Sequence, residues 1–356
     1  MHTVNLYFVA SPLQYLAAKA ISEKFEPADR HILLWYKPGV EPVVKTSDWD
    51  ACDYLPWPRF EPMPGFLGGI RRAKANIKMV ADMVGQCDRL IIHSAVFDTE
   101  AINYFLTGLF VPCGKPQVAA RILPDGVCSL RRYPLNPIKR ALQYTRKARL
   151  LAGLNYTCFG GDRIGSDAPF CDRIYIAPGL PHEYPSEKVK VLPSLFGKGE
   201  IRRTGRALVI GQPLVEAKLL SRRDCDAVAK EVDAWLLENG FAQVDYKAHP
   251  KDPAKELLHN RYQELKIDEP LETWMSKTGY DVVIGVRSSS LLFARQIYPA
   301  ETKVLSFGWD RISFKSKKEK LDHTDTFLQM GVRFVGLTDE DSLESRPLKE
   351  AAACSM

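Results

Sequence analysis

Two rhythms alternate along this chain. Short, almost wholly apolar runs recur, and between them lie longer stretches with apolar residues three and four positions apart. Thr3–Ala10 is the first short run and reads as a buried strand. Pro12–Lys24 follows with Leu13, Leu16, Ala17, Ala20 and Ile21 at helical spacing, Ser11 placed to cap it and Pro12 at its first position. The alternation continues with strand His31–Tyr36, helix Phe66–Val84, strand Arg89–His93, helix Thr99–Phe110 with Asp98 as its cap, strand Gln117–Leu123 and a basic amphipathic helix over Asn136–Leu154. Near Pro193–Gly205 the pattern loosens, and Lys198–Gly205 is polar with two glycines. A second series then runs through strand Ala207–Gly211, helix Arg223–Glu238, strand Gln243–Ala248, helix Pro253–His259, the segment Leu271–Lys277, strand Asp281–Ile284, helix Ser289–Tyr298, strand Thr302–Phe307 and helix Lys318–Met330. Arg333–Val335 and a terminal helix from about Asp339 close the chain. This alternation predicts an α/β fold of mostly parallel sheets with helices on both faces. Two doubly wound, Rossmann-like domains are expected, residues 1–195 and 206–356, joined by a linker at about 196–205 and facing a central cleft.

Composition narrows the class. At 356 residues the chain can bury two cores, and 46% hydrophobic with 26% charged residues is the balance of a soluble globular protein. No stretch reaches the roughly 18 apolar residues of a membrane span. Val4–Ala10 is too short for a signal peptide and lacks a basic leader, so a cytoplasmic location is expected. The eight cysteines form no Cys-x-x-Cys pair, which points to scattered reduced thiols and gives zinc no support. A net charge of +6 is too weak to argue for nucleic acid, and no nucleic-acid-binding signature occurs. The basic residues are locally concentrated, however: Arg131, Arg132, Lys139, Arg140, Arg146, Lys147 and Arg149 in one stretch, Arg71, Arg72, Lys74 and Lys78 in another, Lys315, Lys317, Lys318 and Lys320 in a third. Such faces are either solvated or meet an anionic surface such as a phospholipid headgroup layer.

Candidate chemistry gathers at strand ends, where open α/β sheets bind ligands. Asp125-Gly126 follows one predicted strand; a carboxylate there can act as general base, with the glycine permitting a tight turn, although Asp-Gly is also a common turn dipeptide. His249-Pro250 ends another strand, and the proline holds the histidine extended, where an imidazole can donate to a phosphate oxygen. The plainer alternative is a packed histidine. Ser288-Ser289-Ser290 follows Arg287 and opens a helix, an arrangement suited to an anion and richer in hydroxyls than one N-cap needs. Gly211-Gln212 ends the first strand of the second half, and Glu272 could accept hydrogen bonds from a ribose or simply favour a helix start. His93 also ends a strand. No Gly-x-Gly-x-x-Gly, Walker loop or His-Glu-x-x-His is present, and no Asp-x-Asp directly follows a predicted buried strand, so no metal site is expected.

In order and spacing, Ser11-Pro12-Leu13-Gln14, Asp125-Gly126, Gly211-Gln212-Pro213, His249-Pro250 and Ser288–Ser290 resemble the bacterial sialyltransferases of GT-B fold, the lipooligosaccharide sialyltransferases and capsule polysialyltransferases. The resemblance spans most of the chain. It implies an acceptor-side N-terminal domain, a CMP-sugar-binding C-terminal domain, CMP-sialic acid as donor, inversion at the anomeric centre, and no cofactor or metal. Asp125 is then the general base and His249 the group that assists departure of CMP. Gly211, Gln212, Pro250, Glu272, Ser288, Ser289 and Ser290 face the donor. Ser11, Gln14 and His93 face the sialyl group and acceptor. The acceptor is a glycan, lipid-linked or part of lipopolysaccharide or capsule, with peripheral contact to the inner membrane face. Where the family shows two acids before the glycine, this chain has Pro124 and Asp125. Another CMP-activated ulosonic acid (Kdo, legionaminic or pseudaminic acid), another GT-B enzyme or a non-catalytic CMP-sugar-binding subunit of a polysaccharide assembly complex are the competing readings.

Overall fold

Thr3–Val9 (β1) has six consecutive buried residues because a parallel strand inside a sheet is covered on both faces. The computed structural model describes residues 1–126, 132, 134–197, 204–249 and 251–336. They divide into two units, Met1–Leu195 and Phe196–Met356. The first unit continues with α1 (Pro12–Lys24), β2 (Arg30–Trp35), β3 (Ala51–Tyr54), α2 (Gly68–Val84), β4 (Arg89–Ser94), two short helices α3 (Glu100–Asn103) and α4 (Phe105–Gly108), β5 (Gln117–Ile122), α5 (Pro137–Lys147), β6 (Cys171–Ile176) and β7 (Val189–Val191). Its seven strands lie in the order β3-β2-β1-β4-β5-β6-β7, and every pairing is parallel. Two clusters form its core. One gathers Leu6, Phe8, Ile92 and Phe105, the other Tyr7, Tyr15, Ile21 and Leu33. The chain leaves β1 toward β2 on one side and resumes at β4 on the other, so the order reverses beside β1. That switch point is where a doubly wound sheet opens for ligands.

The second unit repeats the plan with β8 (Arg206–Ile210), α6 (Arg222–Glu238), β9 (Gln243–Lys247), β10 (Gln263–Glu264), α7 (Leu271–Lys277), β11 (Val282–Gly285), α8 (Ser289–Ile297), β12 (Lys303–Phe307), α9 (Lys317–Gln329) and β13 (Arg333–Val335). Its six parallel strands run β10-β9-β8-β11-β12-β13, with the switch point between β8 and β11. The α/β class and the two doubly wound sheets expected from the sequence are thus present.

Several local expectations are corrected. Asp98 caps no helix: it is buried and accepts hydrogen bonds from Gln143, Arg146 and Tyr156, while Thr99 precedes α3. The helix expected over Asn136–Leu154 ends at Lys147 and gives way to a 3-10 turn over Ala148–Ala152. No helix forms over Pro253–His259; Lys255 sits at φ +50°, a left-handed conformation that interrupts a right-handed helix. Phe196, assigned to the linker, packs on Phe293 of the second unit at 5.4 Å between ring centres. Strands β3, β6, β7 and β10 were not foreseen. Much of the linker, the terminal helix expected from Asp339, and Pro250 lie outside the described residues.

Candidate functional site

In the first unit, β1 ends at Val9 and Ser11 caps α1 by accepting from the Gln14 N–H at 3.3 Å. This cap holds the first turn of α1 against the sheet edge, and Gln14 there is only 2% exposed. Both ends of its amide are engaged. Oε1 accepts from the Ala10 N–H at 2.7 Å, which fixes the amide's orientation, and Nε2 therefore donates to an Asp125 carboxylate oxygen at 2.8 Å. Asp125 follows β5, and Gly126 beside it takes φ +55°, a conformation costly for any side chain with a Cβ. The structure thus brings Ser11, Gln14 and Asp125 together. Tyr36, at the end of β2, joins them. Burial first, and the Asp125 carboxylate second, push its hydroxyl well above the usual tyrosine range.

The second unit assembles its edge from three turns. Gly211 follows β8, and its N–H donates to the Lys247 carbonyl at the end of β9 at 2.9 Å. A Cβ at Gly211 would lie 2.4 Å from the Tyr246 hydroxyl, so only glycine fits this close approach. Gln212 accepts the Arg287 N–H at 2.8 Å, lacing the β8 turn to the β11 turn across the switch point. Ser288 caps α8 by accepting from the Ser290 N–H at 3.3 Å. The Ser290 hydroxyl donates to Glu272 of α7 at 2.7 Å, so Ser290 and Glu272 first hold one another. Burial raises the Glu272 carboxyl, partly offset by that hydroxyl. Ser289 has a hydroxyl with no hydrogen-bond partner among the described residues. Arg287 lies over the Phe314 ring and 3.7 Å from Glu319.

His249 stands at the end of β9. Its Nδ1 accepts the Lys251 N–H at 3.0 Å, so the neutral ring carries its proton on Nε2. The residue is exposed, yet shielding of the ring, and then Lys251, hold its pKa below the ordinary value, with Asp252 opposing. At neutral pH this edge presents an Nε2–H donor, a free serine hydroxyl and a helix N-terminus, all suited to a phosphate. Among the described residues no group of three or more His, Cys, Asp or Glu gathers as a metal site.

Residues 180–306 match the family model of the alpha-2,8-polysialyltransferases, and that segment carries Gly211, Gln212, His249, Glu272 and Ser288–Ser290. Over these residues the chain is similar to that family. No curated protein matches it. Among solved structures it is similar to the GT-B domain of a sialyltransferase from Photobacterium damselae, at 13% identity and a TM-score of 0.49, covering 93% of this chain and 99% of that one. It is also similar to the spinosyn rhamnosyltransferase SpnG (13% identity, TM-score 0.45, 94% and 86% covered) and to a UDP-GlcNAc 2-epimerase from Neisseria meningitidis (12%, 0.46, 86% and 82%).

One residue expected on the sialyl and acceptor side is not there. His93 has no exposed surface: it is stacked on Tyr7 at 4.3 Å and hydrogen-bonded to Asn5 at 2.9 Å. Burial, and then the charge of Arg121, hold it neutral, so it belongs to the core of the first sheet. Its place at a strand end in sequence was the same as that of a site residue, and only the packing separates the two. Gln14, by contrast, reaches Asp125 across 111 positions, a link no local pattern encodes.

Proposed function

We propose that this chain transfers sialic acid from CMP-sialic acid to a hydroxyl of a glycan acceptor, with inversion. The observation that carries the reading is the Asp125 carboxylate, fixed by Gln14 on the sheet edge of the first unit. Asp125 takes the proton of the acceptor hydroxyl as its oxygen bonds to the anomeric carbon. The bond from that carbon to the phosphate oxygen breaks, and its electron pair leaves with CMP. The Nε2–H of His249, the Ser289 hydroxyl and the N-terminus of α8 meet the charge that develops on the phosphate. CMP carries a single phosphate, so these groups suffice without a divalent ion. Gln212 and Glu272 contact the nucleoside in this reading.

The test is CMP release from CMP-sialic acid by wild type, Asp125→Ala and His249→Ala, with and without a galactose-terminated acceptor. Acceptor-stimulated release should fall by about 100-fold or more in both variants. Wild type that binds CMP but releases none from CMP-sialic acid would sink the reading. A donor panel including Kdo, legionaminic and pseudaminic acid would then separate another CMP-activated substrate from a binding subunit.

The reading includes peripheral contact with an anionic membrane from the cytoplasmic side, supported by α5. This helix is packed inside out. Gln143 is its buried residue, tied to Asp98 and to the Phe159 N–H, and Arg146 beside it also pairs with Asp98. Ile138 is 72% exposed, and Leu142, Leu150 and Leu151 are exposed as well. Residues 131–161 hold seven Lys and Arg and no Asp or Glu. An uncovered apolar stripe flanked by cations suits the headgroup layer. Among the described residues no helix is long and apolar enough to cross a membrane. Flotation with phosphatidylglycerol vesicles should capture wild type, and Ile138→Ser with Leu142→Ser should reduce the bound fraction several-fold. Capture independent of anionic lipid and of salt would remove this part.

A further inference from the structure

The first unit holds a pocket of about 560 Å³ that the reaction just described leaves without a role. Its size falls in the range of small-molecule sites, roughly 300–1,000 Å³. Trp57 after β3, Ile70 of α2, Thr99 and Glu100 after β4, Tyr104, and Arg149 beyond α5 contribute to its lining. Trp57, Thr99 and Glu100 stand beyond the C-terminal ends of their strands, on the same sheet edge as Asp125.

Three features give the lining a chemical preference. Tyr104 is 2% exposed, and its hydroxyl is buried with no hydrogen-bond partner among the described residues. Burial pushes that hydroxyl up to about 12, so it remains a donor at any ordinary pH. A buried polar group of this kind calls for an occupant that can pair with it. Arg149 and Glu100, both in the lining, form an ion pair that offers donors and acceptors side by side. Trp57 is the aromatic wall. One face of its indole is stacked on Tyr36 at 4.3 Å, and the Tyr36 hydroxyl in turn feels the Asp125 carboxylate. Two stacked rings therefore connect the pocket to the turn that carries the base.

We infer that this pocket is an acceptor subsite that holds a pyranose ring of the glycan, adjoining the residue whose hydroxyl Asp125 deprotonates. The C–H-rich face of a pyranose packs on Trp57, and its hydroxyls pair with Tyr104, Thr99, Glu100 and Arg149. The mixed charges of the lining suit a ring rich in hydroxyls, whereas a nucleotide would need an anion cradle. This inference rests on the transferase reading above, because it takes Asp125 as the base.

The test uses the full chain and reads binding separately from turnover. Saturation-transfer difference NMR with a panel of galactose- and sialic-acid-terminated oligosaccharides reports glycan binding directly. CMP release reports chemistry. Tyr104→Phe removes a single oxygen and should raise the acceptor KM about fivefold, the size of one neutral hydrogen bond. Trp57→Ala should raise it further and weaken the NMR transfer, and Trp57→Phe should restore part of both. Donor KM and acceptor-independent CMP release should stay as in wild type. Glycan binding and acceptor KM unchanged in Tyr104→Phe and Trp57→Ala would overturn the subsite, as would wild type that binds no glycan of the panel. Wild type that binds glycan through Trp57 yet turns over no CMP-sugar supports the pocket and overturns the transferase reading instead.

Discussion

Both units place a glutamine just after their first strand, and the two side chains do different work. In the first unit Gln14 crosses from α1 to the turn after β5 and holds a carboxylate. In the second, Gln212 follows β8 and accepts a backbone N–H from the turn after β11. On the proposed reading the first link fixes the base, and the second shapes the turn that meets the donor. On that reading one residue type orients the chemistry on one sheet edge and moulds a cradle on the other. The neighbouring residues agree. Around Gln14 the Ala10 N–H orients the amide that donates to Asp125, whereas around Gln212 the Gly211 and Ser288 contacts close backbone turns.

If that contrast holds, the two glutamines should separate kinetically. Gln14→Leu removes the amide donor to Asp125 and should lower kcat about 10- to 100-fold with donor KM little changed. Gln14→Glu keeps an acceptor for the Ala10 N–H but sets a second carboxylate against Asp125. Like charges raise a carboxyl pKa, so the acid limb of the rate profile should move to higher pH. Gln212→Leu should raise donor KM by about fivefold, as expected for one lost hydrogen bond, and retain kcat. Steady-state kinetics on the three variants decide the matter. A Gln14→Leu enzyme with wild-type kcat, or a Gln212→Leu enzyme defective mainly in kcat, would break the comparison.

The elements that carry these sites were legible because each is locally consistent. α1 has a serine cap, a proline at its first position and apolar residues at helical spacing, and it forms over the residues expected. β8, β9 and β11 are short runs bounded by turn residues. β6 was not legible for the opposite reason. Cys171–Ile176 carries Asp172 and Arg173 near its start, charges that interrupt an apolar run, and Asp172 pairs with Arg121 of β5 and Arg173 with Glu26. Partners supplied by other segments make those charges compatible with a strand, and a single run of residues does not display them. The inside-out packing of α5 was hidden in the same way: its amphipathic pattern was plain, but the direction of its apolar face depends on Asp98 accepting from Gln143 and Arg146.

The two strand-end histidines extend the contrast to pH. His93 and His249 are both held below the usual histidine pKa, His93 by burial and then Arg121, His249 by shielding and then Lys251. A histidine near 6.5 in the unfolded chain and lower in the fold binds its proton first in the unfolded state. Its contribution to stability is therefore complete above about pH 6.5 and is lost as pH falls, with a limiting slope of about 1.4 kcal/mol per pH unit for one group. His93 has no exposed surface through which its charged form could be hydrated, so it should account for much of the acid loss of stability in the first unit. His249 is exposed, and protonating its Nδ1 would break only the bond from the Lys251 N–H. Between pH 7 and 8 the imidazole stays neutral and its Nε2–H remains a donor, so CMP release should show no inflection from it. Thermal melts from pH 7.5 to 5 should show a shallower acid slope in His93→Gln than in wild type, and a smaller change of slope in His249→Asn. Equal slopes in wild type and His93→Gln would show that the buried ring is not the group whose protonation opposes folding, and the division between a core histidine and a site histidine would then rest on geometry alone.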